Sequence, residues 1–421
     1  MKKEFLIAFF FAGRLMAQDT VQLTLTQAYD LAQKNYPAIR QKDLVKQTAD
    51  LNISNLSKGY LPQFSINGQA TYQSDVTKLN IPIPGITVES LSKDQYKVVA
   101  EASQLVYDGG MIKQQKEYQQ LNESVQQQQV EVELYKVRER INQLFLGILY
   151  YDEQIRQTDL VKADLKTGEK TVQAQVNNGV AFKSNLSTIQ AQLLRVEQNI
   201  IQLKSSKKGM VETLGLFLNQ SLPENVKLQM PEVSEASLVS EEIQRPELKS
   251  FSLQQNLIAS QNKMIKARNI PKTSLFVQGG YGRPGLNFLD NNFVFYYIGG
   301  LRLNWSLGGL YTSKKEKQLN EVNSKIVGVQ KDVFLLNANA SLKTQQSEIE
   351  KFQQLVGTDN DIIELLSTVK KAAQAQLDNG VITVNDFLQE VNAEDQARQA
   401  QIQHKLQLLQ AQINYQTILG K

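Results

Sequence analysis

The chain has 421 residues, no cysteine and one histidine, and its 46 basic against 42 acidic side chains leave a formal charge of +4. These counts exclude a disulfide framework, a thiolate nucleophile, an acylated cysteine and a His/Cys metal cluster, and a balanced charge without a basic block argues against nucleic acid as a partner. No P-loop, GxSxG or HExxH occurs, and His404 stands alone in the helical stretch QIQHKLQLL, where it is expected at the surface; the inventory predicts a non-enzyme without cofactor, metal site or catalytic residue.

In chain order, the first segment is MKKEFLIAFFFAGRLMA, with Lys2 and Lys3 before an apolar core and Ala17 at its end. It has the pattern of a cleaved secretory signal over residues 1–17 and is too short to remain as a membrane span. Between Pro37 and Gly59 apolar residues recur at helical spacing with no intervening proline, which predicts a helix of about six turns. Pro62 then pushes the residue before it out of the α region, so the chain should emerge extended.

FSINGQATYQ at 64–73 alternates as a strand does, with Phe64, Ile66, Gly68, Ala70 and Tyr72 on one face. YKVVAEASQ continues it, placing Tyr96, Val98, Ala100 and Ala102 opposite Lys97, Glu101 and Ser103, and a hairpin over about 63–107 follows, its loop near IPIPGITV at 81–88. No proline lies between Gly110 and Pro223, so Met111 to Asn177 can run as one helix about 100 Å long at 1.5 Å per residue. Leu134, Val137, Ile141, Leu144, Ile148, Tyr151 and Ile155 step by three and four alternately, the seam of a left-handed coiled coil. VNNGVAFKSNL at 176–186 breaks the helix, and a returning helix is predicted over about 183–218.

The plan then repeats. RPEL at 245–248 can be laid on YPAI at 36–39, IP at 270–271 on LP at 61–62, SLGG at 306–309 on YDGG at 107–110, and DNGV at 378–381 on NNGV at 177–180. Four matches in order, with the stretch between the prolines and the Gly-Gly pairs ten residues longer in the first copy, predict a tandem duplication: residues 18–222, a linker at 223–240, and residues 241–421. The second half has a helix from Pro246 to Asn269 and a hairpin over about 273–306, where Phe293, Phe295, Tyr297, Leu301, Leu303 and Trp305 share a face opposite Arg302 and Asn304. A long helix follows over about 309–378, with Ile326, Val329, Val333, Leu336 and Ala340 as its seam, and a returning helix over about 384–419 carries Ile402, Leu406, Leu409 and Ile413.

The strand faces are those of a membrane barrel, apolar and aromatic outward and polar inward. An open four-stranded sheet in hydrocarbon would leave about ten backbone groups unpaired at several kcal/mol each, more than a domain's whole stability. The strands therefore demand closure with other chains, in a barrel of 8, 12 or 16 strands. The coiled-coil periodicity by itself fits a periplasmic scaffold without a channel equally well.

Taken together, from LTLTQAYDLAQKNYPAIR at 23–40 to NYQTILG at 414–420, the chain resembles the outer-membrane efflux proteins of the TolC-like family. The resemblance implies an α/β membrane protein: four strands contributed to a trimeric 12-stranded outer-membrane β-barrel, continuing into a long coiled-coil α-helical periplasmic barrel made from two tandem repeats. It implies a homotrimer and a passive exit duct for multidrug efflux or type I secretion. The implied partners are a periplasmic adaptor protein, an inner-membrane pump of resistance-nodulation-division or ABC type, and outer-membrane lipid.

By the same resemblance Asn178, Gly179 and Val180 with Asn379, Gly380 and Val381 are the adaptor-docking tips, and Asp386 matches an aspartate that narrows the periplasmic entrance. Gln389 takes the next acidic position, and Asn185 and Thr188 are the first-half counterparts. The family's latching arginine and tyrosine are replaced by Ile382 and Leu377, so closure is expected to rest on packing around Leu377 and Phe387. Phe64, Tyr72, Tyr96, Phe293, Phe295, Tyr297 and Trp305 are the expected membrane-facing aromatics.

Overall fold

A computed structural model describes residues 22–78, 90–233 and 242–421. The expected signal segment, the loop at 81–88 and the linker from residue 234 onward lie outside the described residues. In chain order the elements are β1 (Gln22–Leu23), α1 (Leu25–Asn35), a single 3₁₀ turn, α2 (Arg40–Lys58), β2 (Gln63–Tyr72), β3 (Asp94–Tyr107), α3 (Met111–Asn177) and α4 (Lys183–Leu218). They continue as β4 (Lys227–Leu228), α5 (Pro246–Arg268), β5 (Lys272–Arg283), β6 (Val294–Asn304), α6 (Gly308–Asp378) and α7 (Val384–Leu419). The chain forms two compact units, one from residues up to Ile39 with Glu133–Arg245 and Asn337–Lys421, the other from Arg40–Val132 and Pro246–Leu336. Among the described residues no helix is long and apolar enough to cross a membrane.

The second unit is built on a four-stranded antiparallel sheet in the order β2-β3-β5-β6, so β2 and β6 are its open edges. Both strand pairs start directly after a proline, Pro62 before β2 and Pro271 before β5. The two Gly-Gly pairs, equivalent in sequence, do different work. Gly109 and Gly110 take positive φ, and the buried Asp108 carboxylate accepts from the amides of Gly110 (2.8 Å) and Ile112 (2.6 Å), capping α3. Gly308 and Gly309 are instead the first helical residues of α6, which has no such aspartate before it.

One stripe of α6 in this unit departs from expectation. Ile326, Val329, Val333 and Leu336, read as a coiled-coil seam, are half exposed or more, and so are Leu319 and Val322 before them. Among the described residues none of the hydrophobic clusters includes this stripe.

In the first unit the seams close. Val137, Ile141, Leu144, Phe145 and Ile148 of α3 pack with Val211, Leu214 and Leu218 of α4, Leu406, Leu409 and Ile413 of α7, and Ala28 and Ala32 of α1. Thr24 and Gln27 form a capping box at the start of α1, and β1 pairs in parallel with β4. A second cluster lies next to the two Asn-Gly turns: Val161, Leu165 and Val172 of α3, Ile189, Leu193, Val196 and Ile200 of α4, and Leu377, Phe387, Leu388 and Val391 of α6 and α7.

His404, expected at the surface, is only partly exposed. It is half-buried on α7, with Nδ1 2.7 Å from Asp359 Oδ2 of α6 and its ring against Phe352, so it ties two helices together.

Candidate functional site

The two Asn-Gly turns share one geometry. Gly179 and Gly380 have φ of +73° and +69°, the left-handed conformation that stops a helix. In the first turn the Gly179 amide donates to Val176 O (3.1 Å) and the Val180 amide to Gln175 O (2.8 Å). In the second the Gly380 amide donates to Leu377 O (3.0 Å) and the Val381 amide to Gln376 O (2.8 Å). These paired bonds satisfy the last helical carbonyls, which is why the sequence breaks two very long helices cleanly. The turns are fastened to each other: Gln175 Nε2 donates to Leu377 O (2.6 Å) and Thr171 Oγ1 to Asp378 Oδ1 (2.9 Å).

The helices that leave the turns start differently. Thr383 caps α7 in a box with Asp386: the Asp386 amide donates to Thr383 Oγ1 (3.3 Å), and Asp386 Oδ2 accepts from the Thr383 amide (3.0 Å) and hydroxyl (2.7 Å). The Thr383 hydroxyl, then its amide, hold the Asp386 carboxyl below its ordinary range. The first turn puts Phe182 at the equivalent N-cap, with no side-chain cap bond, and its ring is 80% exposed. Val180 and Val381 are also exposed, so the turns present an apolar trio. Phe182 had no role in the sequence reading; a large apolar residue at an N-cap, where Ser, Thr, Asp and Asn prevail, was the available signal.

The residues expected at the entrance separate. Asp386, Gln389 and Thr188 are exposed and Asn185 is half-buried, whereas Leu377 and Phe387 are each only 1% exposed, inside the second cluster. Those two cannot line an opening. Their role is to hold α6 and α7 against α3 and α4, and the Phe387 ring fits because Gly168 faces it, a Cβ there lying 2.9 Å from Phe387 Cε1. Deeper in the same unit Lys370 bridges Asp164 of α3 (2.8 Å) and Glu394 of α7 (2.5 Å), and Arg398 also binds Glu394 (2.6 Å). Among the described residues no group of three or more His, Asp or Glu side chains is placed to hold a metal ion.

The sheet has two unlike faces. Register places Phe64, Ile66, Tyr72, Tyr96, Val98, Val277, Tyr281, Phe295, Tyr297, Leu301 and Leu303 on one, and nearly all are well exposed, Phe295 at 84% and Tyr297 at 82%. Phe293 and Trp305 flank β6, and Trp305 Nε1 donates to Asn269 O (3.1 Å). Side chains of the other face converge. Glu101 of β3 meets Arg302 of β6 across the intervening strand, Nη1 to Oε1 2.7 Å; Gln278 of β5 donates to the same carboxylate, and the guanidinium lies 4.4 Å from the Phe276 ring centroid.

No known protein-family description matches the sequence, and no curated protein sequence does. Solved structures do match. The outer-membrane channel OprN superposes with a TM-score of 0.66 at 13% identity, over 94% of this chain and 90% of its own. The outer-membrane protein VceC of Vibrio cholerae gives 0.64 at 12% identity, over 93% and 96%, and the outer-membrane channel CmeC of Campylobacter jejuni 0.63 at 15%, over 94% and 85%. The chain thus has the fold of these TolC-like outer-membrane channels.

Proposed function

We propose that the chain is an outer-membrane exit duct: a homotrimer in which β6 of one protomer pairs with β2 of the next, closing twelve strands, and which passively conducts solutes delivered by a periplasmic adaptor and an inner-membrane pump. The two-faced sheet with two open edges carries this reading. Its apolar, aromatic face suits lipid and its crowded polar face suits a water-filled lumen, and a head-to-tail edge contact closes into a ring when the rotation per protomer divides a full turn. The resemblance to OprN, VceC and CmeC, channels of the outer membrane, supports it.

In this reading the apolar trio Val180, Phe182 and Val381, beside Asn178, Gly179, Asn379 and Gly380, is where the adaptor grips. Asp386, with Gln389, Asn185 and Thr188, lies toward the entrance, and the capping bond uses only one Asp386 oxygen. Efflux and type I secretion both use such a duct, and the pump decides between them. Purified protein is expected to run as a heat-sensitive trimer in detergent and to open large ion-conducting pores in planar bilayers. A well-folded extract that stays monomeric overturns the reading.

A further inference from the structure

The polar face of the sheet carries an unequal charge. Among the described strand residues its charged side chains are Lys97 and Glu101 of β3, Lys272 of β5 and Arg302 of β6. Glu101 is consumed by Arg302, with Gln278 completing the carboxylate's bonds. Lys97 and Lys272 have no carboxylate within ion-pair distance among the described residues. The Lys97 ammonium stands 5.5 Å from the Tyr296 ring centroid, and Lys272 is the first residue of β5, opposite Asn304.

Register sets their separation. Lys97 pairs with Gly282, ten residues along β5 from Lys272, so the two ammonium groups are about 33 Å apart along the strands at ~3.3 Å per residue. The neutralised Glu101–Arg302 pair lies between these levels, where Glu101 pairs with Gln278 and Arg302 with Ser274. A gap of 33 Å exceeds the screening length of about 10 Å at 0.1 M salt, so each lysine acts on its own stretch of the passage.

We propose that Lys97 and Lys272 make the strand-lined passage a filter favouring anionic solutes; this rests on the duct reading. Threefold symmetry turns each lysine into a ring of three ammonium groups, one toward the hairpin-loop end of the strands and one at the helix end. A water-filled passage with low-dielectric walls focuses such fields, attracting anions and repelling cations. Glu101 acts oppositely from the way its charge suggests: it does not draw cations but keeps Arg302 from adding a third cationic ring.

The test is the reversal potential of purified oligomer in planar bilayers across a potassium chloride gradient at low salt. The K97Q/K272Q double variant is expected to move the potassium-to-chloride permeability ratio about threefold toward potassium, with each single variant giving part of it. Glu101→Gln, which frees Arg302, is expected to move the ratio the other way. Channels that conduct with unchanged reversal potentials in all these variants overturn the filter and leave the duct standing. A folded oligomer that does not conduct overturns the duct reading itself. The lysine substitutions leave the strand ladders intact and remove only the Lys97–Tyr296 ring contact, so loss of the heat-sensitive oligomer in both single variants also overturns the proposal, by making the lysines structural.

Discussion

Single residues set the two turns, and their demands can be separated. A Cβ at Gly380 would meet nothing, so its need for glycine is conformational alone. Gly380→Ala should therefore cost about 1–2 kcal/mol, while Gly380→Asn, which tolerates the left-handed region, should cost less. At Gly168 the backbone is helical and the obstacle is steric: Phe387 at 2.9 Å and Ile189 at 3.0 Å. Gly168→Ala should cost about 1–3 kcal/mol by overpacking, and unfolding midpoints of the three variants check the order. Asp386 makes a prediction in pH. Its carboxyl is held low by Thr383, so the stability it lends the start of α7 is present above its unfolded-state value and is lost as pH falls through the folded one. Protection of the first-turn amides of α7, taken relative to their intrinsic exchange rates, should fall as pH drops below the ordinary aspartate range, and Asp386→Asn should remove that pH dependence.

At the level of elements, α4 and α7 leave equivalent turns with opposite solutions. Thr383 closes a capping box, whereas Phe182 forgoes a cap and exposes a ring. Phe182→Thr should stabilise the start of α4 by about 0.5–1 kcal/mol yet weaken cross-linking to the cognate adaptor. A variant that gains stability and binds the adaptor as before would make Phe182 an ordinary poor cap. Much of this level was legible in the sequence because it is local: prolines that precede strands, period-2 alternation, and glycines where φ must be positive. What was not legible depends on partners far along the chain. Glu101 and Arg302 meet only because the sheet order sets β5 between their strands, His404 meets Asp359 only when α7 folds back on α6, and nothing local tells whether Leu377 and Phe387 face a core or an opening. The α6 stripe was legible as a seam, but periodicity does not say whether its partner lies in the same chain.

For the whole molecule, the second unit leaves unmatched surfaces that point the same way. The sheet has open edges at β2 and β6. In sequence α2 leads into β2 and α6 leaves β6, so a head-to-tail edge contact brings α6 of one protomer toward α2 of the next. Both helices are prepared for it: α6 exposes Leu319, Val322, Ile326, Val329, Val333 and Leu336 at steps of three and four, and α2 exposes Leu44 and Leu51, seven residues apart. Seven-residue spacing against a 3.5-residue stripe is what knobs-into-holes packing requires. A charge in the stripe therefore separates folding from assembly. Val333 is 51% exposed within the chain, so Val333→Lys should change the protomer's own stability by no more than about 0.5 kcal/mol. In the proposed trimer the same ammonium would be buried without a partner, at a cost of several kcal/mol per protomer repeated around the ring. Extracted protein should keep its helical circular dichroism but lose the heat-sensitive trimer band. If V333K assembles as the parent does, the α6 stripe is not the protomer interface, and the closure of the sheet has to be sought without it.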